Sequence, residues 1–414
     1  LDKALRILHT SDWHLGKTIG GHRRWDEQEQ FIEEIALLAR DEGVHLVLLA
    51  GDVFDTENPP ARAEELYFDA LSRLAVDGRQ VVVIAGNHDQ PERLAAPVPL
   101  AARQGVYILG RPGDVPPLGP GVLESGPSCL VLQGPGWPCP AVILALPYPS
   151  EARLGELLTP SLEEAVERQA AYSRRVAAFL KQLAGSCRPG AVNLAVSHLY
   201  MYGGQISDSE RTLSLGGAYS VDPGAFPREV QYVALGHLHR PQEVVGAPVP
   251  CRYSGSPLAY SFSETGQAKG VVLVEAFPGR PVHFREITLN SGRPLVRWRA
   301  TGGYEEVLAW CRAGRDERAW IDLEVHAAAP LTREQVEQLR EMRPGIIDIR
   351  TVLPDQEGES AGTPDVDALP LDELFKLFYR QQTGGGEPHT DLVHIFLELV
   401  EATAGERGDE VEAG

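Results

Sequence analysis

The chain has 414 residues, 43% of them hydrophobic, with a formal net charge of −20: enough apolar material for two globular domains plus a tail, and a charge that argues against a polyanionic partner. Its five cysteines, Cys129, Cys139, Cys187, Cys251 and Cys311, are scattered without CxxC spacing, which speaks against a disulfide framework or a cysteine zinc site and leaves reduced thiols. No run of about 18 apolar residues occurs and the first thirty residues lack a signal-peptide pattern, so a cytoplasmic protein without a membrane span is expected.

Leu5 to Leu8 is the first apolar run with the character of a strand, and Asp12 and His14 follow it. Phe31, Ile35 and Leu38 then space a helix. His45 to Leu49 leads into Gly51-Asp52-Val53-Phe54-Asp55, and Leu66, Ala70 and Leu74 space a second helix. Gln80 to Ala85 leads into Gly86-Asn87-His88-Asp89. The stretch from Arg111 to Pro140 is rich in Gly and Pro and reads as irregular loop with room for edge strands. Ala141 to Leu146, Asn193 to Val196 and Gln231 to Leu235 complete the strand-like runs. His198 follows the second of these, and His237 and His239 follow the third. Strands alternating with helices predict an α/β layered fold, and nearly continuous apolar runs predict strands covered on both faces.

Beyond about Phe284 the pattern changes. Val296 to Trp298, Trp320 to Val325 and Ile346 to Thr351 read as strands, with Tyr304 to Cys311 and Thr332 to Arg340 as helices between them, a small α+β region without a catalytic cluster. Pro354 to Pro370 reads as an acidic linker. Two apolar helical stripes follow: Leu371, Leu374, Phe375 and Phe378, then Leu392, Ile395, Phe396 and Leu399. From Asp355 onward lie 15 acidic and 3 basic residues, a balance of −12, which leaves −8 for the first 354. A weakly acidic body can act on a polyanion when bound divalent cations bring positive charge to the site.

The chemistry-bearing residues stand just after strand-like runs. Ligands collect at the carboxyl ends of strands in α/β sheets, so residues far apart in sequence are expected to converge on one pocket. Two closely spaced cations need a bridging carboxylate, and Asp52 beside Gly51 is the natural bridge. Neutral imidazoles and an amide oxygen complete the two shells without so much negative charge that a phosphate is repelled. In His237-Leu238-His239, two-residue alternation points both rings the same way, letting each serve a different ion. Each element alone has a bland reading. Gly-Asp is an ordinary turn, Asn87 a turn cap, His198 a strand-end histidine, and His237 with His239 a surface pair. Their ordered conjunction favours chemistry.

The ordered set DxH, GDxxD, GNHD, strand-end His and GHxH resembles the calcineurin-like metallophosphoesterases. The flanking text, Arg6 to Gly16, Ala50 to Pro60, Ala85 to Asp89 and Ala234 to Arg240, resembles a branch of nuclease subunits within that superfamily. The resemblance spans the first 260 residues well and continues more loosely beyond. It implies a layered sandwich over 1–285, a capping domain over 286–354, and an acidic linker with partner-binding helices over 355–414. It implies that Asp12, His14, Asp52 and His239 hold one divalent ion and Asp52, Asn87, His198 and His237 a second, with manganese the usual metal. His88, beside the ligand Asn87, becomes the candidate that protonates the leaving oxygen or binds the phosphate, with Asp89 holding its ring. By the same resemblance the tail helices grip a coiled-coil ATPase, and the chain dimerises through helices after the second and third motifs. Leu66, Phe68, Leu94, Val98 and Leu100 are candidates for that surface, each equally suited to the core.

The leading expectation is therefore a two-metal DNA phosphodiesterase in repair, replication and recombination. It is expected to act with the ATPase as a double-strand exonuclease and a single-strand and hairpin endonuclease. A small-substrate phosphatase or nucleotide pyrophosphatase is the alternative, which the extra domain and tail disfavour. A non-catalytic scaffold is the other, which the intact ligand set disfavours. No GxxxxGK[ST] loop occurs, since Ser11 stands where the first glycine before Gly16-Lys17-Thr18 belongs, so any ATP dependence comes from the partner. His22, Arg23 and Arg24 form a loop that either touches a phosphate backbone or stays solvated. Tyr253 to Pro257 either borders the site or is structural.

Overall fold

Alternate side chains of the Leu46–Ala50 strand serve two cores. Leu46, Leu48 and Ala50 face a second sheet, and Val47 and Leu49 face helices. The period of two in a strand requires this division, and it explains why the strand-like runs carry so few polar residues. A computed structural model gives the architecture and describes residues 3–150, 165–210 and 220–353, with Phe375, Lys376, Tyr379, His389 and Leu392 beyond them.

The first sheet has six strands in the order His283–Thr288, Gly270–Ala276, Leu5–Thr10, Leu46–Ala50, Gln80–Ile84, Val106–Leu109. The last four are mutually parallel, and the other two join antiparallel at one edge. The second sheet has seven, in the order Gln242–Glu243, Cys251–Tyr253, Tyr232–Gly236, Val192–His198, Ala141–Leu146, Cys129–Leu132, Val122–Gly126. Its centre is parallel. The Gly- and Pro-rich stretch supplies the edge hairpin of Val122–Gly126 and Cys129–Leu132.

Helices Trp25–Asp41 and Ala61–Leu74 cover the outer face of the first sheet through Phe31, Ile35, Leu66, Ala70 and Leu74. Ala165–Leu183 covers the second sheet through Tyr172, Val176 and Leu180. The result is helix, sheet, sheet, helix, the layered α/β sandwich expected from the sequence. Its two sheets meet through Leu48, Val82, Ile143 and Leu194.

Leu295–Ala300, Trp320–His326 and Ile346–Val352 form a separate three-stranded sheet, packed with Gly303–Arg312 and Arg333–Met342 around Trp298, Leu308, Leu323 and Leu339. Thr332 starts the second helix with a capping box to Gln335. This small region meets the sandwich at an apolar joint of Ile19, Leu295, Trp320 and Ile347. Beside that joint the buried Glu27 carboxylate accepts from Arg24 Nε (2.9 Å) and Nη2 (2.7 Å), Trp320 Nε1 (2.9 Å) and the Arg293 backbone N–H (2.7 Å). Arg24 is thus buried in an ion pair, and His22 rests 5.3 Å from the Trp320 ring. Of the loop read as either a phosphate contact or a solvated segment, Arg23 is exposed while Arg24 is part of this joint.

Leu66 and Leu94 are core residues, whereas Phe68 is 46% and Leu100 70% exposed. All five cysteines are free thiols, four of them buried. Among the described residues no helix is long and apolar enough to cross a membrane. The chain divides into two compact units, Leu1–Thr351 and Val352–Gly414. The acidic linker and the two helical stripes expected in the second lie outside the described residues, apart from the isolated positions named above.

Candidate metal centre

The carboxyl ends of parallel strands from both sheets meet at one place. Asp12, Asp52 and Asn87 follow Leu5–Thr10, Leu46–Ala50 and Gln80–Ile84, while His198 ends its strand and His237 follows Tyr232–Gly236. The first two loops are zipped together by Asp12 N–H to Gly51 O and His14 N–H to Asp52 O, each 3.0 Å. A side chain at Gly86 would collide with the Asp52 carboxylate, and one at Gly236 with the Ala50 carbonyl. These motif glycines are therefore needed for close approach.

Seven non-glycine residues have positive φ among the described residues, and four are Asp12 (54°), His14 (43°), Asp52 (50°) and His237 (110°). Such conformations cost about 1–3 kcal/mol each and persist where the surroundings over-determine them, commonly at functional sites. Their concentration here is an indication of function independent of the motifs.

All seven predicted ligand side chains come together, all but Asn87 at most 5% exposed. Asp12, His14 and His239 offer ligand atoms within 4.8 Å of one another, as do Asp12, Asp52 and His198. Asp52 is central: its Oδ2 lies 3.6 Å from His14 Nε2 and 3.5 Å from His198 Nε2. The His14 and His239 Nε2 atoms approach to 3.0 Å. On the other side Asn87 Oδ1 lies 3.0 Å from His198 Nε2 and 2.9 Å from His237 Nδ1.

The protonation chemistry suits cations. Burial lowers His14 and His237 to about 3, which keeps both imidazoles neutral and their lone pairs available. Burial also works against protonation of His198, but Asp52 and Asp12 outweigh it and raise His198 to about 9. Two buried carboxylates beside the neutral His14 and His237 rings and the proton-attracting His198 mark a place that favours positive charge. A donor set of carboxylate, amide oxygen and imidazole is the set that divalent manganese, iron or zinc accepts, so the residues fit such ions.

His88 and Asp89 stand at the same loop, with a division of labour that the sequence did not reveal. Asp89 accepts the backbone N–H groups of Gly86 (2.9 Å), Val53 (3.1 Å) and Phe54 (2.9 Å), so its carboxylate ties the second and third loops together. The Nδ1 of the His88 ring lies 2.7 Å from the Asp55 carbonyl, which leaves Nε2 facing Asp52 Oδ2 at 3.9 Å. The alternation argument for His237 and His239 also needs correction. The strand ends at Gly236 and His237 has φ 110°, so the rings diverge, His237 to Asn87 and His239 to His14.

Several further residues carry the site. Asp55 Oδ1 lies 3.5 Å from His14 Nδ1 and accepts from Lys17 Nζ at 2.8 Å. His198 Nδ1 donates to Ala50 O (2.8 Å), which turns Nε2 toward Asp52 Oδ2 at 3.5 Å. Ser11 Oγ donates to Asp12 Oδ2 (2.5 Å) and meets Ser254 Oγ (2.8 Å), so the Tyr253 to Pro257 segment borders the site. Asp55 was legible as the second Asp of GDxxD. Ser254 lies in the Tyr253 to Pro257 segment that the sequence offered as a border of the site, whereas Ser11 had no signal of its own.

Residues 5–241 match the calcineurin-like phosphoesterase family, and residues 291–383 match the type 5 capsule protein repressor C-terminal domain. The SbcD subunit of nuclease SbcCD from Bacillus subtilis (strain 168) is 44% identical over 396 residues, 95% of this chain and 97% of that protein. The proteins of the same name from Rhodobacter capsulatus and Staphylococcus epidermidis are 35% identical over 72% of each chain, and 26% identical over 92% of this chain and 94% of theirs. Among solved structures, a dimetal phosphatase from Danio rerio aligns with a TM-score of 0.41 at 14% identity, covering 69% of this chain and 97% of that one. Sequence identity of 44% over nearly the whole chain goes with the strand-end motifs and the layered sandwich that carries them: the chain belongs to the calcineurin-like phosphoesterases, hydrolases of phosphodiester bonds, in the group of SbcD nuclease subunits.

Proposed function

We propose that this chain is the nuclease subunit of a complex with an SbcC-type coiled-coil ATPase, cleaving DNA phosphodiesters with two divalent ions, manganese by preference. The observation that carries the reading is Asp52, whose carboxylate stands between the His14 side and the His198 side of the cluster. Asp12, His14, Asp52 and His239 hold one ion in this reading, and Asp52, Asn87, His198 and His237 the other. Bound there, the ions supply a nucleophilic water of lowered pKa and neutralise charge on the phosphoryl oxygens. The chain's own contribution is orientation and proton transfer. His88 keeps Nδ1–H on the Asp55 carbonyl, so the proton it exchanges is carried by Nε2, the atom facing the cluster. That atom protonates the leaving oxygen or binds the phosphate, and Asp89 fixes the loop that carries it.

DNA as the substrate, exonucleolytic cutting of duplex ends, endonucleolytic cutting of single strands and hairpins, and a cytoplasmic homodimer rest on the likeness to SbcD nuclease subunits. The segmentation into a phosphoesterase domain to 285, a cap to 354 and a partner-binding tail from 355 belongs to the same reading. The test compares linear plasmid DNA with para-nitrophenyl phosphate in manganese, with and without the co-purified ATPase and ATP. DNA shortening that depends on manganese supports the reading. Rapid turnover of the small ester with intact DNA replaces it by a small-substrate phosphatase.

A further inference from the structure

Among the proposed ligands, His239 is enclosed by polar side chains from outside the cluster. Its Nδ1 lies 2.6 Å from Ser209 Oγ, and that hydroxyl donates to Glu264 Oε1 at 2.5 Å. Glu264 is 1% exposed and pairs through Oε2 with Lys269, itself 8% exposed. Lys269 Nζ then returns to the His239 carbonyl at 2.8 Å and to Ser256 Oγ at 3.1 Å. Glu210 Oε1 accepts the His239 backbone N–H at 2.7 Å, and Tyr260 packs edge-on against the His239 ring at 5.6 Å.

A buried ion pair is costly to desolvate and is weak evidence of a stabilising role. This one closes a loop that begins and ends on a single histidine. The hydroxyl of Ser209 has one proton, which it gives to Glu264, so it must accept from His239 Nδ1–H. That fixes the tautomer: the lone pair lies on Nε2, 3.0 Å from His14 Nε2. By contrast the equivalent nitrogen of His198 is held by a single backbone carbonyl.

We propose that Ser209, Glu264 and Lys269 are positioning residues that hold His239, in ring orientation and tautomer, as a ligand of the ion it shares with Asp12 and His14. The inference rests on the two-ion reading above. Outer partners of ligating histidines typically contribute 10- to 100-fold in metal affinity, so their loss is felt at one ion and not the other.

The experiment is manganese titration of the full chain by calorimetry, comparing the unsubstituted protein with Ser209→Ala, Ser209→Thr and Glu264→Gln and checking each fold by circular dichroism. Ser209→Ala removes one oxygen at a half-buried position and leaves the Glu264–Lys269 pair intact, so it remains informative should Glu264→Gln fail to fold. One binding step weakens about 10- to 100-fold in Ser209→Ala, the other stays unchanged, and threonine restores the first. A folded Ser209→Ala protein with both steps unchanged, or with both weakened alike, overturns the proposal. An unsubstituted chain without two manganese steps overturns the two-ion reading as well, so the two failures are told apart.

Discussion

Asp52 is the residue on which the site turns, since both halves of the cluster approach one of its oxygens. Asp52→Ala is expected to abolish binding of both ions, and calorimetry that still finds two manganese steps removes the bridging assignment. His88→Ala differs in kind. It keeps both binding steps and lowers kcat on a DNA substrate by about 10²- to 10⁴-fold, the usual range for a positioned acid or base; a rate near that of the unsubstituted protein removes His88 from the mechanism. At this scale much was legible. Asp12, Asn87 and His237 each stand beside an apolar run, and a polar side chain there has little packing rationale. The role of Asp89 was not legible, because its partners Val53 and Phe54 lie 36 and 35 residues away and are backbone amides, which every sequence contains.

Among the elements, the small three-stranded sheet and its helices are joined to the sandwich through Trp320 and Glu27. Removing one member of a buried pair leaves the other charge uncompensated, at a cost of about 3–5 kcal/mol. Glu27→Ala is therefore expected to loosen residues 295–351 selectively, read as faster hydrogen exchange there with the two main sheets still protected; uniform protection throughout counts against a docking role. The elements carrying chemistry were plain in the sequence, and so were those with strong periodicity. Gly270–Ala276 has the same apolar signal as the other strands but pairs antiparallel with Leu5–Thr10 from the far end of the domain. Such a pairing has no local signature. Ala165–Leu183 dilutes its Tyr172, Val176, Leu180 stripe with alanines and arginines.

For the molecule as a whole, the two sheets meet over His9, whose ring is fully buried between Tyr232 Oη and Leu235 O at 3.0 Å each. Burial lowers its pKa to about 3 from the ordinary 6.5. The folded ring thus stays neutral while the unfolded one takes up a proton. Stability linked to His9 is complete above pH 6.5 and is lost as pH falls toward 3, at up to about 1.4 kcal/mol per unit. A His9→Gln variant is expected to show a shallower fall of Tm with acidification between those values, and parallel curves exclude the linkage.

The sequence by itself determined which residues stand at strand ends, that the strands are covered on both faces, and that a separate α+β region follows. Those are local patterns, set by the two-residue and 3.6-residue periods of the backbone. Only the tertiary structure decided that two sheets, not one, supply the cluster, and that Asp89 serves backbone amides. It also decided that His239 is held by a serine, a glutamate and a lysine. Contacts such as His14 with His239 join residues 225 positions apart. Their geometry depends on how two twisted sheets meet and on the strained loop conformations at their edges, and neither is written in any single stretch of chain.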